Sequence, residues 1–329
     1  MIELSTEVAA ALTEGRPVVG LETAVVTHGL PRTPWPATLP LPHDRWRPGE
    51  PINVEAARAM SRAVLAAGAA PALTAVLRGA LRAGLSESAI AELACDPAVF
   101  KASARDLGPL LVRGASAGTT VAGAIATCAA VTPVPIRVFA TGGIGGVHPG
   151  WTTRPDVSGD LIALAQTPVC VVCAGAKSIL DVPATFEILE SLGVPVIGCG
   201  VSHFPRFVCP PDPALPLPHQ LDSPDEIARA CLMHWALGNP SAVLVVQPVD
   251  PTLAVPIQAY EAAAARAEAD ARRAGIEGAA RTPALLDQIA RLTHGASLRA
   301  NIGLLLANAS LAGRIAAAMS AQERARKTT

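Results

Sequence analysis

Short, continuously apolar segments alternate along the chain with longer segments whose apolar residues recur every three to four positions. The short segments are rich in valine and isoleucine and predict buried strands, whereas the periodic segments predict helices that bury one face. The predicted strands are Pro17–Glu22, Ala72–Leu77, Ile136–Gly142, Val169–Gly175, Val194–Val201 and Ala242–Val249. The predicted helices are Val54–Ala67, Ser86–Ala94, Gly118–Ala130, Val157–Ala165, Ala184–Leu192 and Pro224–Leu237.

Helices that connect successive strands are typical of parallel crossovers. The pattern therefore predicts a layered α/β/α fold with a mostly parallel central sheet. After Pro256 the chain becomes almost wholly helical, and it ends in an alanine-rich helix from about Leu298 to Arg324. We expect one domain over residues 1–329, in which residues 256–329 form a helical C-terminal section.

Two proline-rich segments interrupt the regular pattern. Thr33–Pro51 contains six prolines and two tryptophans, and half of Cys209–Pro218 is proline. Because proline cannot donate to a sheet ladder, both segments are predicted to be surface loops. Loops of this length often serve as lids or binding loops, although simple surface insertions have the same appearance.

The composition narrows the class of protein. Of the 329 residues, 50% are hydrophobic and 16% charged, with a net charge of −1, which excludes a disordered chain and argues against nucleic-acid binding. Proline, threonine, glycine and asparagine break the charge-free stretches, so we expect no contact with a membrane. The N-terminus lacks a signal-peptide pattern, and an odd number of cysteines, seven, favours reduced thiols in the cytoplasm.

Lysine is scarce, which draws attention to the places where it occurs. The chain has 26 basic residues but only three lysines, Lys101, Lys177 and Lys327. Lys177 follows the predicted strand Val169–Gly175, at the end of the sheet where α/β proteins bind ligands. Lysine, unlike arginine, can act as an amine nucleophile and form a Schiff base with an aldehyde sugar. The alternative is a lysine that only caps a loop or pairs with Asp181.

A glycine-rich segment, Phe139–Gly150, directly follows another predicted strand and contains His148. Glycines at such a position let backbone N–H groups approach an anion, so Gly142–Gly146 predicts a phosphate nest. The segment is not a dinucleotide-binding fingerprint, because His148 occupies the position of the third glycine. A plain glycine-rich turn is the alternative interpretation.

Three carboxylates lie near these strand ends. Glu22 ends the first predicted strand, where it is an acid or base candidate. Asp156 and Asp160 surround the start of the helix after the glycine-rich segment. They suit the helix dipole, and close to a phosphate they can also hold a divalent cation through water.

Gly114-Ala-Ser-Ala-Gly118 matches the G-x-S-x-G pattern of a nucleophile elbow. It offers a rival function, a serine hydrolase that uses Ser116 with a downstream aspartate and histidine. This function would leave both internal lysines unexplained.

Taken together, several strings resemble the pseudouridine-5′-phosphate glycosidase family over nearly the whole chain. The strings are Leu21-Glu-Thr-Ala-Val-Val-Thr-His-Gly-Leu-Pro31, Ala98-Val-Phe-Lys101, Arg105-Asp-Leu107, Ala117-Gly-Thr-Thr-Val121, Ala140-Thr-Gly-Gly-Ile-Gly-Gly-Val-His148, Asp156-Val-Ser-Gly-Asp160, Cys173-Ala-Gly-Ala-Lys-Ser-Ile-Leu-Asp181 and Ser297-Leu-Arg-Ala-Asn-Ile302.

The resemblance implies a homotrimeric enzyme that cleaves, or in reverse forms, the C–C bond between ribose 5-phosphate and uracil. It implies that Lys177 attacks C1′ of the ring-opened sugar as the nucleophile and that Glu22 donates a proton to the base. It also implies a manganese ion at Asp156. The remaining implied positions bind substrate: Lys101, Thr120, Val121, Ser158, Gly159, Asp160, His148 and Asn301.

The chemistry of the residues agrees with this reaction. A C–C glycosidic bond has no heteroatom leaving group, so protonation of an oxygen by paired carboxylates cannot cleave it. An imine at C1′ supplies an electron sink, and a carboxylic acid can then protonate the departing carbon. Two lysines in one pocket also disfavour each other's charged form, which lowers the pKa of at least one.

The chain departs from the family in four places, which we expect to lie on the side of the aglycone. They are the insertion Thr33–Pro51, Pro149 in place of arginine, Gln247 in place of asparagine, and the proline-rich Cys209–Pro218. Ribose 5-phosphate is therefore expected to bind as in the family, with uracil a poorer partner. The alternative function is a C-glycosynthase that joins ribose 5-phosphate to a different aglycone.

Overall fold

A computed structural model describes residues 2–44, 46–153, 155–276 and 281–328. Residue 45 of the proline-rich insertion and residues 277–280 and 329 of the C-terminal section thus lie outside the described residues. The strands are β1 (Ile2–Leu4), β2 (Val18–Leu21), β3 (Ala70–Leu77), β4 (Ala80–Ala83), β5 (Phe100–Ala102), β6 (Ala117–Thr119), β7 (Val138–Ala140), β8 (Cys170–Cys173), β9 (Val196–Gly198), β10 (His219–Gln220) and β11 (Val243–Val246).

Helices flank this sheet, as the alternating pattern predicts. They are α1 (Thr6–Thr13), α2 (Ile52–Ala66), α3 (Glu87–Cys95), α4 (Leu107–Val112), α5 (Val121–Ala129), α6 (Gly159–Gln166), α7 (Val182–Ser191), α8 (Pro224–Ala236), α9 (Ile257–Arg273), α10 (Arg281–Leu292) and α11 (Ala296–Thr328). A π-helix covers Val25–Gly29 and a short 3₁₀ helix covers Ala104–Asp106.

The sheet is mixed and mostly parallel, which confirms the predicted fold class. Its strand order is β1-β4-β3-β2-β7-β8-β11-β9-β10, with β6 paired to β3 and to β5. Among the described strand pairs, β3 runs antiparallel to β4 and β6, and the other pairs are parallel. All six predicted strands are present; five have narrower bounds, and β3 begins two residues earlier than the predicted Ala72–Leu77.

The pattern did not predict β1, β4, β5, β6 or β10, each of which has four residues or fewer. The turn between β3 and β4 shows why one of them was missed. Its two residues, Arg78 and Gly79, both have positive φ angles, 49° and 78°. This geometry belongs to a tight hairpin turn, which sequences more often mark with Asn-Gly or Asp-Gly.

The helical C-terminal section is confirmed for its described residues, which form α9, α10 and α11. Helix α11 packs against α2 and α8 and against strands β2, β7 and β8. By length and apolar composition alone, the stretch Ala296–Arg326 could cross a membrane, but 72% of its most apolar window is buried in the structure. We therefore describe α11 as a helix of the core.

The insertion Thr33–Pro51 is not only a surface loop. Trp35 and Trp46 are each only 4% exposed and belong to the main hydrophobic core. Their rings meet edge to face, with centroids 5.8 Å apart. Thus the prediction of a wholly surface loop is wrong at these tryptophans, because their burial fixes the loop to the body of the protein.

Candidate active site

Two candidate catalytic residues lie at the carboxyl ends of neighbouring strands. Strands β2, β7 and β8 are adjacent and parallel in the sheet. Glu22 directly follows β2, and Lys177 follows β8 after a short turn of small residues. Both border one cavity of about 250 Å³. This end of a parallel sheet is where α/β proteins place their ligands.

All of the site residues predicted from the sequence border this cavity. They are Glu22, Lys101, Thr120, Val121, His148, Asp156, Ser158, Gly159, Asp160, Lys177 and Asn301. They come from the ends of strands, the starts of α5 and α6, and α11, so the fold gathers residues that are far apart in the sequence. Their individual roles stay predictions.

Glu22 is a buried carboxyl group, only 8% exposed. Burial raises its pKa, while Lys177, the hydroxyl of Thr141 and Lys101 act in the opposite direction. The hydroxyl of Thr141 donates a hydrogen bond to Oε1 of Glu22, which fixes the orientation of the carboxyl group. A carboxyl group that stays protonated to higher pH is suited to donate a proton.

Lys101 lies on β5 and is half-buried at the cavity. Burial lowers its pKa, and the charge of Lys177 lowers it further, whereas Glu22 and Asp160 raise it. The expectation that two lysines in one pocket lower the pKa of at least one of them is thereby confirmed for Lys101.

Asp160 connects two walls of the cavity. It is 5% exposed, and its carboxylate accepts hydrogen bonds from the backbone N–H of Ala122 and from that of Gly145, each 2.9 Å long. One bond ties α6 to the first turn of α5, and the other ties α6 to the glycine-rich segment. Since both carboxylate oxygens already accept a backbone N–H, Asp160 shapes the cavity as well as bordering it.

The glycine-rich segment serves close packing, and the phosphate nest at Gly142–Gly146 stays a prediction. Among the described glycines with positive φ, none lies within Gly142–Gly146. The N–H of Gly145 is used by Asp160, as noted above. A Cβ on Gly146 would lie 2.2 Å from Oγ1 of Thr185, and one on Gly145 would lie 2.3 Å from Oγ of Ser158. Glycine is therefore required here because neighbouring side chains come too close.

Two polar side chains of the cavity have buried atoms without a hydrogen-bond partner in the described part of the chain. They are Nδ1 of His148 and Oδ1 of Asn301. Burial lowers the pKa of His148, although Asp156 acts against this effect. A buried polar atom without a partner is costly, so these two groups are suited to receive a polar ligand.

Asp156 borders the cavity with an exposed carboxylate, and its Oδ2 lies 3.2 Å from Nη1 of Arg281. Arg281 also pairs with Glu268, at 3.0 Å. Among the described residues, no group of three or more His, Cys, Asp or Glu side chains is arranged to hold a metal ion. A divalent ion at Asp156 would therefore have fewer than three such side chains as ligands and would need oxygen ligands from water or substrate as well.

The serine-hydrolase hypothesis is wrong. A nucleophile elbow connects a strand to a helix, but Ser116 lies between α4 and the following strand β6. Its Oγ accepts a hydrogen bond from the backbone N–H of Arg78, 3.0 Å long. Ser116 also does not border the cavity described above.

The expectation that the two proline-rich loops face the aglycone is wrong as well. Within their described residues, neither Thr33–Pro51 nor Cys209–Pro218 borders this cavity or the one next to it. Gln247 lies next to Asn308 of α11, and its Nε2 donates a hydrogen bond, 2.8 Å long, to Oδ1 of Asn308. Asn308 in turn donates to the carbonyl oxygen of Thr141 at 2.7 Å.

Sequence reasoning missed several residues of the site. Thr141 and Asn308 support Glu22 and the glycine-rich segment, while His28, Arg105 and Phe207 border the cavity. A signal existed for Asn308, because a lone asparagine within the apolar stretch of a helix needs a partner when it is buried. Phe207, which has a positive φ of 55°, gave no comparable signal.

The parallel sheet and this cavity define an α/β enzyme with lysines and buried carboxyl groups at the carboxyl ends of its strands. Residues 48–318 match the model of a family described as indigoidine synthase A like protein. The chain belongs to this family.

Several relatives carry a more specific name. A pseudouridine-5′-phosphate glycosidase from Gemmatimonas aurantiaca is 47% identical over 94% of this chain and 93% of its own length. One of the same name from Streptomyces griseus is 44% identical over 96% of this chain and 91% of its own. These matches confirm the resemblance found in the sequence.

A solved structure gives a further comparison. The prealnumycin C-glycosynthase AlnA, in complex with ribulose 5-phosphate, superposes with a TM-score of 0.84 at 37% identity, covering 99% of each chain. An indigoidine synthase A-like protein from Thermotoga maritima superposes with a TM-score of 0.82 at 30% identity, covering 97% of each chain. The whole fold is thus shared with both.

Proposed function

We propose that this protein is a pseudouridine-5′-phosphate glycosidase, which cleaves and in reverse forms the C–C bond between ribose 5-phosphate and uracil. The observation that carries the proposal is the placement of Lys177 and Glu22 beside the same cavity. The names and high identities of the relatives support it.

In cleavage, Nζ of Lys177 attacks C1′ and the C1′–O4′ bond breaks, which opens the sugar ring; the proton that the amine loses goes to O4′. C1′ then carries both the amine and uracil, and the imine forms in the next step, when the nitrogen lone pair displaces the C1′–C5 bond. The protonated carboxyl group of Glu22 gives its proton to C5 of uracil as the C–C bond breaks. Water then hydrolyses the imine, which releases ribose 5-phosphate and regenerates the amine. The pKa of Glu22, raised by burial, favours the protonated form that this step needs.

The sugar phosphate is held by Lys101 and by the starts of two helices that border the cavity. Lys101 provides a positive charge, and the first turns of α5 and α6 present backbone N–H groups at Val121 and Gly159. Helix N-termini favour anions. His148 and Asn301 contact the base.

The test of this function is chemical trapping of the imine. Incubation with ribose 5-phosphate and borohydride is expected to add the reduced sugar to the peptide that contains Lys177. Lys177→Arg keeps the charge but cannot form the imine, so it should abolish both trapping and cleavage of pseudouridine 5′-phosphate. Lys101→Arg is the matched control, and it should still be trapped at Lys177. Labelling confined to Lys101, or none in the wild type, overturns the assignment.

We also propose that Asp156 holds a manganese ion, mostly through water. The ion, when bound, would neutralise charge on the phosphate. The exposed carboxylate at the edge of the cavity supports this proposal.

Chelation is expected to lower the activity at least tenfold, with recovery on addition of manganese. Asp156→Asn should raise the Kd for Mn²⁺, measured by electron paramagnetic resonance, about tenfold or more. Glu268→Gln is the control, because it removes the other carboxylate on Arg281 while leaving Asp156. If Asp156→Asn and the wild type bind Mn²⁺ equally, Asp156 is not the ligand.

A cytoplasmic homotrimer completes the proposal. Three exposed apolar side chains, Phe100, Val157 and Ile162, support an oligomer because association would remove them from water. Light scattering measures the mass, and a monomer at micromolar concentration would contradict the trimer.

A second candidate function is the synthesis of a C-riboside from ribose 5-phosphate and an aglycone other than uracil. The close structural similarity to AlnA supports it. The same Lys177 imine would serve both functions, so the trapping experiment does not separate them. A comparison of two activities separates them: the cleavage of pseudouridine 5′-phosphate, and the C–C bond formation between ribose 5-phosphate and a panel of other acceptors.

A further inference from the structure

A second cavity, of about 280 Å³, adjoins the active site. The residues that border both cavities are His28, Gly29, Phe207, Pro283, Leu286 and Asn301. Each cavity alone is smaller than the roughly 300–1,000 Å³ of a site for a drug-sized ligand, whereas the two together lie within that range. The pair therefore offers room for a ligand larger than either cavity holds.

The second cavity extends from the side of the base. Lys101, Lys177 and the first turns of α5 and α6, which are assigned to the sugar phosphate, border only the first cavity. Asn301, assigned to the base, lies at the boundary of both. This orientation rests on the proposed function, since it depends on where the sugar and the base bind.

The wall of the second cavity is mostly apolar. Leu30, Val208, Tyr260, Ile289 and Leu298 border it and not the first cavity. At its boundary, Asn301 is 7% exposed, and its Oδ1 has no partner in the described part of the chain. An apolar chamber with a buried hydrogen-bond acceptor at its entrance is suited to an aromatic ring attached to a heterocycle that carries an N–H.

We propose that this cavity is a second aglycone subsite, which binds an apolar aromatic ring joined to the heterocycle that reacts with ribose 5-phosphate. The enzyme then accepts aglycones with two rings. In the synthetic direction the ring carbon adds to C1′ of the Lys177 imine, so that the C=N bond becomes a C–N bond, and the ring carbon loses its proton. O4′ then closes on C1′ and displaces the amine of Lys177, as with uracil.

The experiment compares uracil with 1-phenyluracil and 3-phenyluracil as acceptors for ribose 5-phosphate. Both derivatives leave C5 free, so the reacting carbon is the same in all three. We expect at least one derivative to react with a kcat/KM equal to or above that of uracil. If uracil reacts and both derivatives are more than tenfold poorer, the second subsite is overturned while the proposed function stands.

A variant that fills the second cavity tests whether this cavity causes the higher kcat/KM of the phenyluracil. Ala290 is on α10 and borders only this cavity, and Ala284 on the same helix borders neither. Ala290→Phe is expected to lower kcat/KM for the preferred phenyluracil at least tenfold more than for uracil, and Ala284→Phe is expected to change that ratio less than twofold. Leu298→Trp repeats the test from α11 in case Ala290→Phe does not fold. An unchanged ratio in both filling variants overturns the proposal.

If the proposed function itself is wrong, the result is different: ribose 5-phosphate is not trapped on Lys177, and uracil does not react. Calorimetric binding of the phenyluracils still tests the cavity in that case. Binding that is at least tenfold weaker in Ala290→Phe than in Ala284→Phe supports the subsite, and equal binding overturns it.

Discussion

At the scale of single side chains, the pKa of Glu22 is raised by burial and lowered by neighbours, first Lys177 and then the hydroxyl of Thr141. Burial favours the neutral carboxyl group, while the Thr141 hydroxyl favours the carboxylate by donating a hydrogen bond to it. Thr141 touches the acid and not the cavity, so we assign it as a positioning residue. It is held in turn by Asn308, which binds its carbonyl oxygen.

This arrangement predicts the pH dependence of cleavage. Because Glu22 must be protonated to act as the acid, kcat/KM falls as the pH rises through its raised pKa. Thr141→Val keeps the shape of the side chain but removes the hydrogen bond that lowers this pKa, so the alkaline limb should move to higher pH. The pH profile of kcat/KM for pseudouridine 5′-phosphate measures the shift.

Two controls accompany this profile. Thr141→Ser keeps a hydroxyl group and should restore the position of the wild-type limb. Glu22→Gln cannot donate the proton, and at pH values below the alkaline limb it should lower kcat about 10²–10⁴-fold. A Thr141→Val enzyme that loses activity uniformly, with an unmoved limb, would show that Thr141 has only a structural role.

At the scale of elements, the start of α6 shows how one buried carboxylate arranges the cavity. Asp160 accepts N–H groups from α5 and from the glycine-rich segment, and both donors are backbone groups. Neutral asparagine has the same shape but presents an NH₂ group to one of these donors. One hydrogen bond is then lost, and a buried N–H has no acceptor.

We therefore expect Asp160→Asn to lower the free energy of unfolding by about 1–3 kcal/mol, the cost of an unsatisfied buried group. Urea unfolding followed by circular dichroism measures it. Asp225→Asn is the matched control, because this exposed aspartate in the first turn of α8 should cost only about 0.3–1 kcal/mol. Equal losses for the two variants would mean that the bridge between α5 and the glycine-rich segment adds no stability.

The elements also show how far sequence reasoning reaches. Long runs of valine and leucine such as Val243–Val246 are apolar on both faces of the sheet, so they predict buried strands without further information. Strand Ala117–Thr119 has three small residues, and it becomes a strand only because β3 and β5 lie beside it. The candidate site was predictable where unusual residues marked it, as Lys177 did. Thr141 and Phe207 were not, since their positions depend on contacts made by distant segments.

At the scale of the whole molecule, the insertion Thr33–Pro51 is a structural element and not a lid. Trp35 and Trp46 pack into the main core, and Leu39 lies against Gly295, where a Cβ would be 2.5 Å from Leu39 Cδ1. The insertion thereby reaches the junction between α10 and α11. Its described residues border neither cavity.

Removal of one tryptophan separates stability from catalysis. Trp46→Ala is expected to lower the free energy of unfolding by about 3–5 kcal/mol, because it leaves a large cavity in the core. At a temperature where the variant stays folded, kcat/KM should remain within twofold of the wild type. Trp46→Phe keeps an aromatic ring and should lose less stability, and Thr38→Ala, at an exposed position of the same loop, should lose almost none. A fall in kcat/KM of more than tenfold in a fully folded Trp46→Ala enzyme would mean that the insertion acts on the site, as a lid would, although it borders neither cavity.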